Sequence, residues 1–75
     1  MTLNEFIEAF GNEFIETPIE TFAADTNYRQ LEEWNSLTAL SIISMVDDQM
    51  EKTITGADLR KCTTIEELYN YIQTL

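Results

Sequence analysis

From Asn35 to Glu51 the chain has neither glycine nor proline, and its apolar residues recur at steps of three and four. A half-buried strand needs alternation with a period of two, so this segment is predicted to be a helix. At about 100° per residue, Ala39, Ile42, Ile43, Val46 and Met50 gather on one face, a natural core seam. Leu37 and Leu40 fall on the other side, among Ser41, Ser44, Asp47, Asp48 and Glu51. Two leucines on the polar side of a helix that starts with Asn-Ser set the question for the rest of the chain.

The flanking sequence supplies the other elements. Thr2-Leu-Asn-Glu5 has the form of a capping box, and Leu3, Phe6, Ile7, Phe10 and Phe14 follow at helical spacing. Gly11 costs that helix about 1 kcal/mol relative to Ala. Pro18 pushes Thr17 out of the helical region, so the first helix is predicted over Leu3 to Glu16. Between Pro18 and Trp34 no period is sustained, yet Ile19, Phe22, Tyr28, Leu31 and Trp34 are spaced as anchors, the pattern of a long loop pinned to a core. The second helix is predicted from Asn35-Ser36 to near Glu51. Thr55-Gly-Ala-Asp58 opens a third of one or two turns, with Leu59 inward. Thr63-Thr-Ile-Glu66-Glu67 offers overlapping capping boxes for a fourth, carried by Ile65, Leu68, Ile72 and Leu75. No run alternates long enough for a strand. The expected fold class is all-α, a small antiparallel bundle of three longer helices plus one short helix, with a long loop between the first two. At 75 residues it should be a single domain, 1–75, with a marginal core.

Fourteen acidic residues against four basic ones give a net charge of -10. That balance works against nucleic acid and anionic membranes and favours a basic protein surface as partner. No segment approaches the ~20 apolar residues of a membrane span. The lone Cys62 rules out an internal disulfide, reads as a small part-buried hydrophobe, and suits a reducing compartment. A cytoplasmic monomer is expected. With no histidine, Ser-His and Cys-His pairs and Cys/His zinc sites are excluded. Asp47-Asp48-Gln-Met-Glu51 lacks the length and the glycine of an EF-hand loop, and there is no glycine-rich phosphate loop. The chain is therefore expected not to be an enzyme, and to need no metal.

The Asn35-Ser36 pair can be read in two ways. Asn35 as N-cap would accept from the N–H of Leu37 or Thr38 and leave the Ser36 hydroxyl without a structural duty; alternatively Ser36 is itself the cap. A phosphate ester on Ser36 would lie at the positive end of the helix, where an anion is favoured. Leu37 and Leu40 likewise have two readings. Leu37 folds back on Trp34 or the loop while Leu40 packs on the third helix, or both face outward with the acidic residues as a docking surface.

Leu31-Glu-Glu-Trp-Asn-Ser-Leu37, together with the pattern through Met50, resembles the Asp-Ser-Leu motif and following helix of the acyl carrier proteins and related phosphopantetheine-bearing carrier domains. Ile54-Thr-Gly-Ala-Asp-Leu59 and Thr63-Thr-Ile-Glu-Glu-Leu68 are similar to that family's third and fourth helices. The resemblance implies that Ser36 carries a 4′-phosphopantetheine arm, attached by a phosphopantetheinyl transferase from coenzyme A, whose thiol bears acyl groups as thioesters. It also implies that Leu37, Leu40, Ser41, Ser44, Asp47, Asp48 and Glu51 form the recognition face for acyl-loading and acyl-transfer enzymes with basic patches, in fatty acid, polyketide or related biosynthesis. Asn35 departs from the family's usual Asp, keeping the cap but losing a charge beside the modified hydroxyl. Glu33-Trp34 replaces the usual glycine-containing approach, which points to a specialised pathway. Met45 and Met50 would keep the interior adaptable to an acyl chain.

The rival reading is an acidic helical interaction module, an inhibitor or adaptor, that binds a basic partner and carries no prosthetic group. Under either reading the surplus negative charge repels itself. The melting midpoint should therefore climb as salt is raised toward 1 M, where the Debye length is about 3 Å; a flat or falling midpoint across the titration would remove this effect.

Overall fold

The computed structural model describes all residues, Met1–Leu75. Its helices are α1 (Leu3–Asn12), α2 (Ser36–Met50), α3 (Gly56–Lys61) and α4 (Ile65–Gln73), and two single 3-10 turns, Ile19–Thr21 and Tyr28–Gln30, punctuate the first loop. The all-α bundle expected from the sequence is present: α1 packs on α2 and α4, and α3 on α2. No helix is long and apolar enough to cross a membrane.

The starts of the helices follow the local rules. Thr2, Thr55 and Thr64 are N-caps whose hydroxyls accept from the third helical N–H, and Glu5, Asp58 and Glu67 reach back to complete the boxes. Of the two overlapping boxes before α4, the chain uses Thr64 with Glu67. The other ends of the helices are less local. The first helix stops at Asn12, four residues short of Glu16. Beyond it the N–H groups of Ile15, Glu16 and Thr17 turn to the Glu33 carboxylate instead of to the carbonyls one turn back. A tertiary acceptor thus ends α1, and Phe14 keeps its buried place from outside the helix. Leu75, expected in the seam of α4, lies beyond that helix and is exposed.

The core joins Phe6, Phe10 and Phe14 to Ile42, Met45 and Val46 of α2, Leu59 of α3 and Ile65, Leu68 and Ile72 of α4. Phe22 and Tyr28 of the long loop are buried among them, while Leu31 and Trp34 pack half-buried at the edge. Ile19, expected as an anchor, is 46% exposed but sets its Cδ1 against Gly11 of α1. Gly11 explains how the loop comes so close to α1. A Cβ there would lie 2.6 Å from Ile19 Cδ1 and 2.9 Å from Phe22 Cδ2. The glycine that weakens the helix is thus the one that admits the loop.

Hydrogen bonds complete the docking. The first N–H groups of α4, on Ile65 and Glu66, donate to the loop carbonyls of Thr26 and Ala24, so the loop caps a helix as well as covering it. Tyr28, fully buried, donates its hydroxyl to the Leu59 carbonyl at 2.6 Å, with the Cys62 carbonyl 3.1 Å away. Burial pushes both the Tyr28 phenol and the Cys62 thiol up from their ordinary values. Replacing Tyr28 with Phe leaves buried carbonyls unserved and should cost about 1–2 kcal/mol, lowering the midpoint by roughly 5–15 °C for a chain of this size. Circular dichroism melting checks this, and an unchanged midpoint would show that the hydroxyl does not hold the loop.

Candidate functional site

The site begins with the cap of α2. Asn35 Oδ1 accepts from the N–H of Leu37 at 2.8 Å and of Thr38 at 3.1 Å. Thr38 returns the interaction, its hydroxyl oxygen accepting from the Asn35 N–H at 2.9 Å and donating to the Glu33 carbonyl at 3.0 Å. Asn35, and not Ser36, is therefore the N-cap. Ser36 is the first helical residue, exposed, with its hydroxyl free of capping duty. The part played by Thr38 was not read from the sequence, although Thr at the third position after a capping Asn is a detectable signal.

What holds this step in space lies just upstream. The Glu33 carboxylate accepts from the N–H groups of Ile15 (3.2 Å), Glu16 (2.9 Å) and Thr17 (2.6 Å) and from the Thr17 hydroxyl at 2.6 Å. The bond from the Thr17 hydroxyl, with those from the backbone, holds the Glu33 carboxyl below the usual carboxylate range. Trp34 follows at once, edge-on to Tyr28 at 5.0 Å between ring centres and stacked with Phe10 at 6.4 Å. One ionic latch and one aromatic anchor thus fix the two residues before Asn35.

On α2 the two leucines remain outside. Leu37 is 74% exposed and Leu40 60%, which removes the reading in which they fold back on Trp34, the loop or α3. Ser44, Asp47 and Asp48 are exposed on the same side, and Ser41 is half-buried. Glu51 is exposed but no longer helical: it is the C-cap, in the left-handed region at φ 55°. It continues the acidic surface from beyond the helix end instead of from the wheel position the sequence assigned.

Two surface features beside the start of α2 were missed. Ile15 is 94% exposed and shares a surface groove with Leu37, Thr38 and Ser41, rimmed by Glu13, Glu16 and Glu32. Nothing local marks Ile15, because its exposure follows from the early end of α1. On the other side of Ser36 a cavity of about 280 Å³ is lined by Arg29, Trp34, Asn35, Ser36, Ala39, Gly56, Leu59 and Arg60. The arginines come from the loop and from α3, and only the tertiary structure brings them to the serine. No group of three or more His, Cys, Asp or Glu side chains is placed to hold a metal ion.

With this geometry in view, a family model described as a phosphopantetheine attachment site matches residues 4–72, nearly the whole chain. No curated protein and no solved structure matches the chain. An exposed serine among the residues that line an open cavity fits such an arm.

The latch makes a pH prediction. Because the folded carboxyl of Glu33 has a lower pKa than the unfolded one, its contribution is fully present above the ordinary glutamate value of about 4.3. That contribution is lost as pH falls through the folded value. Glu5, Asp58 and Glu67, also lowered by cap hydrogen bonds and, for Asp58, first by the Tyr71 hydroxyl, act in the same direction. Glu33→Gln, which cannot accept from all these donors at once, should melt earlier at neutral pH and lose less between about pH 5 and 3, the span around the ordinary carboxylate values. Parallel acid limbs for the two proteins would mean that the latch is not ionic.

Proposed function

The chain belongs to the phosphopantetheine attachment-site family, and we propose that it is a non-catalytic acyl carrier with its arm esterified to Ser36. The family is defined by covalent attachment of 4′-phosphopantetheine. The assignment to Ser36 rests on one observation above others: Asn35 satisfies both cap N–H groups, so the adjacent hydroxyl is exposed, unoccupied by the fold, and held at a fixed place. A transferase would join Ser36 Oγ to the phosphorus that bears the pantetheine group of coenzyme A. The serine proton is lost and the adenosine bisphosphate moiety leaves.

In this reading residues 1–75 are one carrier domain that acts in the cytoplasm as a monomer. Leu37, Leu40, Ser41, Ser44, Asp47, Asp48 and Glu51 receive partner enzymes, with Ile15 extending the apolar contact beside Leu37. Acidic charge on the chain and basic patches on the partners speed encounter without slow release, which suits a carrier that visits a transferase and then acyl-loading and acyl-transfer enzymes. Fatty acid, polyketide or related acyl-transfer biosynthesis is the pathway class. Asn35 in place of Asp keeps the cap and removes one negative charge beside Ser36, so it acts on the efficiency of loading and not on the fold.

The experiment is to incubate the chain with coenzyme A and a promiscuous phosphopantetheinyl transferase and to record intact mass over time. One phosphopantetheine should add to the wild type and none to Ser36→Ala. Asp47→Lys with Asp48→Lys should slow loading about tenfold at low salt, with the difference shrinking as salt rises. No added mass with several transferases would leave the acidic interaction module as the better reading; equal loading rates at low salt would remove Asp47 and Asp48 from the docking face.

A further inference from the structure

This chain has fourteen carboxylates and only four basic residues, so each of its cations has an abundance of possible partners. Yet its one ion pair is Lys61 with Asp58, at 3.8 Å. Arg29 and Arg60 are in none. The Arg29 guanidinium reaches the Thr63 hydroxyl at 3.4 Å, a weak contact, and feels Glu67 only at longer range. Arg60 folds back over Gly56, a guanidinium nitrogen 3.4 Å from where a Cβ would be. Both line the same cavity of about 280 Å³ that Ser36 lines. Half of the basic side chains of a strongly acidic protein therefore line one cavity together with Ser36, and neither is in a salt bridge with a carboxylate.

We propose that Arg29 and Arg60 are an anion clamp for the phosphodiester that joins the arm to Ser36. The proposal rests on Ser36 being the attachment point and goes beyond it by assigning ligands to the phosphate. Guanidinium groups suit the task because their fixed fork of donors matches phosphate oxygens and they remain charged at any working pH. The phosphodiester is bonded directly to Ser36 Oγ, so it enters the space these residues line without any search by the flexible arm. The clamp also offsets a local penalty, since loading adds a negative charge to a chain already at -10. Its effect is to order the root of the arm against α3 and the loop while leaving the far end free to move.

The arm carrying only its free thiol has the phosphodiester as its single anion, which separates the clamp from any charge on an acyl cargo. Wild type and the Arg29→Gln/Arg60→Gln variant are loaded with coenzyme A and a promiscuous transferase, loading is verified by intact mass, and both are followed by phosphorus NMR and melting. In the wild type the phosphorus resonance should relax roughly twofold faster than in the variant, as for a group held on the protein instead of one moving freely on the fast timescale. That difference should vanish toward 1 M salt, where the Debye length is about 3 Å. Loading should also lower the melting midpoint more in the variant than in the wild type. Equal relaxation and equal midpoint changes in the two loaded proteins would overturn the clamp while leaving Ser36 as the attachment point. A folded variant that does not load would also overturn it, assigning the arginines to the approach of the transferase. Failure of the wild type to load is a different result, and removes the attachment reading itself. Should the double variant not fold, each single variant is expected to lie between the extremes, and the salt dependence of the wild-type resonance decides alone.

Discussion

The Glu33 carboxylate is the contact on which the rest of the arrangement turns. The stretch between α1 and α2 is long for so small a bundle, and closing it costs chain entropy that grows with its length. Glu33 offsets part of that cost by gathering the N–H groups of Ile15, Glu16 and Thr17 onto one acceptor. Two consequences follow from the same three bonds: the N–H groups that would carry α1 on through Ile15 to Thr17 are taken away, and the chain arriving at Asn35 is tied down two residues before the cap. Tyr28 and Trp34 supply the apolar half of the closure. A flexible arm is useful only if its root is fixed, and with the arm on Ser36, as proposed, this loop would do the fixing.

Charge is used in two opposite ways on either side of Ser36. Along α2 the carboxylates of Asp47 and Asp48 are exposed, and Leu37 and Leu40 lie exposed between them and the serine. Toward α3 the surface carries Arg29 and Arg60. A basic partner would thus be drawn to one flank of the serine and repelled from the other, which gives a direction of approach as well as an attraction. In the proposed docking, long-range steering would set the rate of encounter and the leucines what is rewarded after contact.

Much of this was legible in the sequence, for identifiable reasons. The capping boxes at Thr2, Thr55 and Thr64 and the seam of Ile42 and Val46 depend on residues a few positions apart, and such patterns survive in one dimension. The outward face of Leu37 and Leu40 could be drawn on a wheel, although whether something covered them could not. What escaped reading depends on partners far along the chain. Phe14 continues the helical spacing of Phe6 and Phe10, so the pattern extended α1 past its true end; the phenylalanine is buried because the loop comes to it. Gly11 looked like a cost to the helix and is a clearance for Phe22. Ile15 beside Leu37, and Arg29 with Arg60 around Ser36, are meetings of different elements that no local period encodes.

Which of Asn35 and Ser36 caps α2 decides whether the serine hydroxyl is available for modification. Either residue could cap α2, and had Ser36 done so its hydroxyl would be engaged by backbone N–H groups and poorly placed for modification. Asn35 takes both bonds, and Thr38 and Glu33 hold Asn35 in the conformation that allows it. An aspartate would make the same cap and add a negative charge beside the hydroxyl, where it would attract a basic transferase but oppose the incoming phosphate. With Asn35 that local charge is absent, and a phosphate on Ser36 would meet the guanidinium groups of Arg29 and Arg60, which line the same cavity, without an acidic competitor at the cap. In the proposed reading the substitution and the arginine pair act in the same direction, favouring retention of the anion at the root of the arm over electrostatic recruitment at that single position, and recruitment would fall to Asp47 and Asp48 farther along the helix.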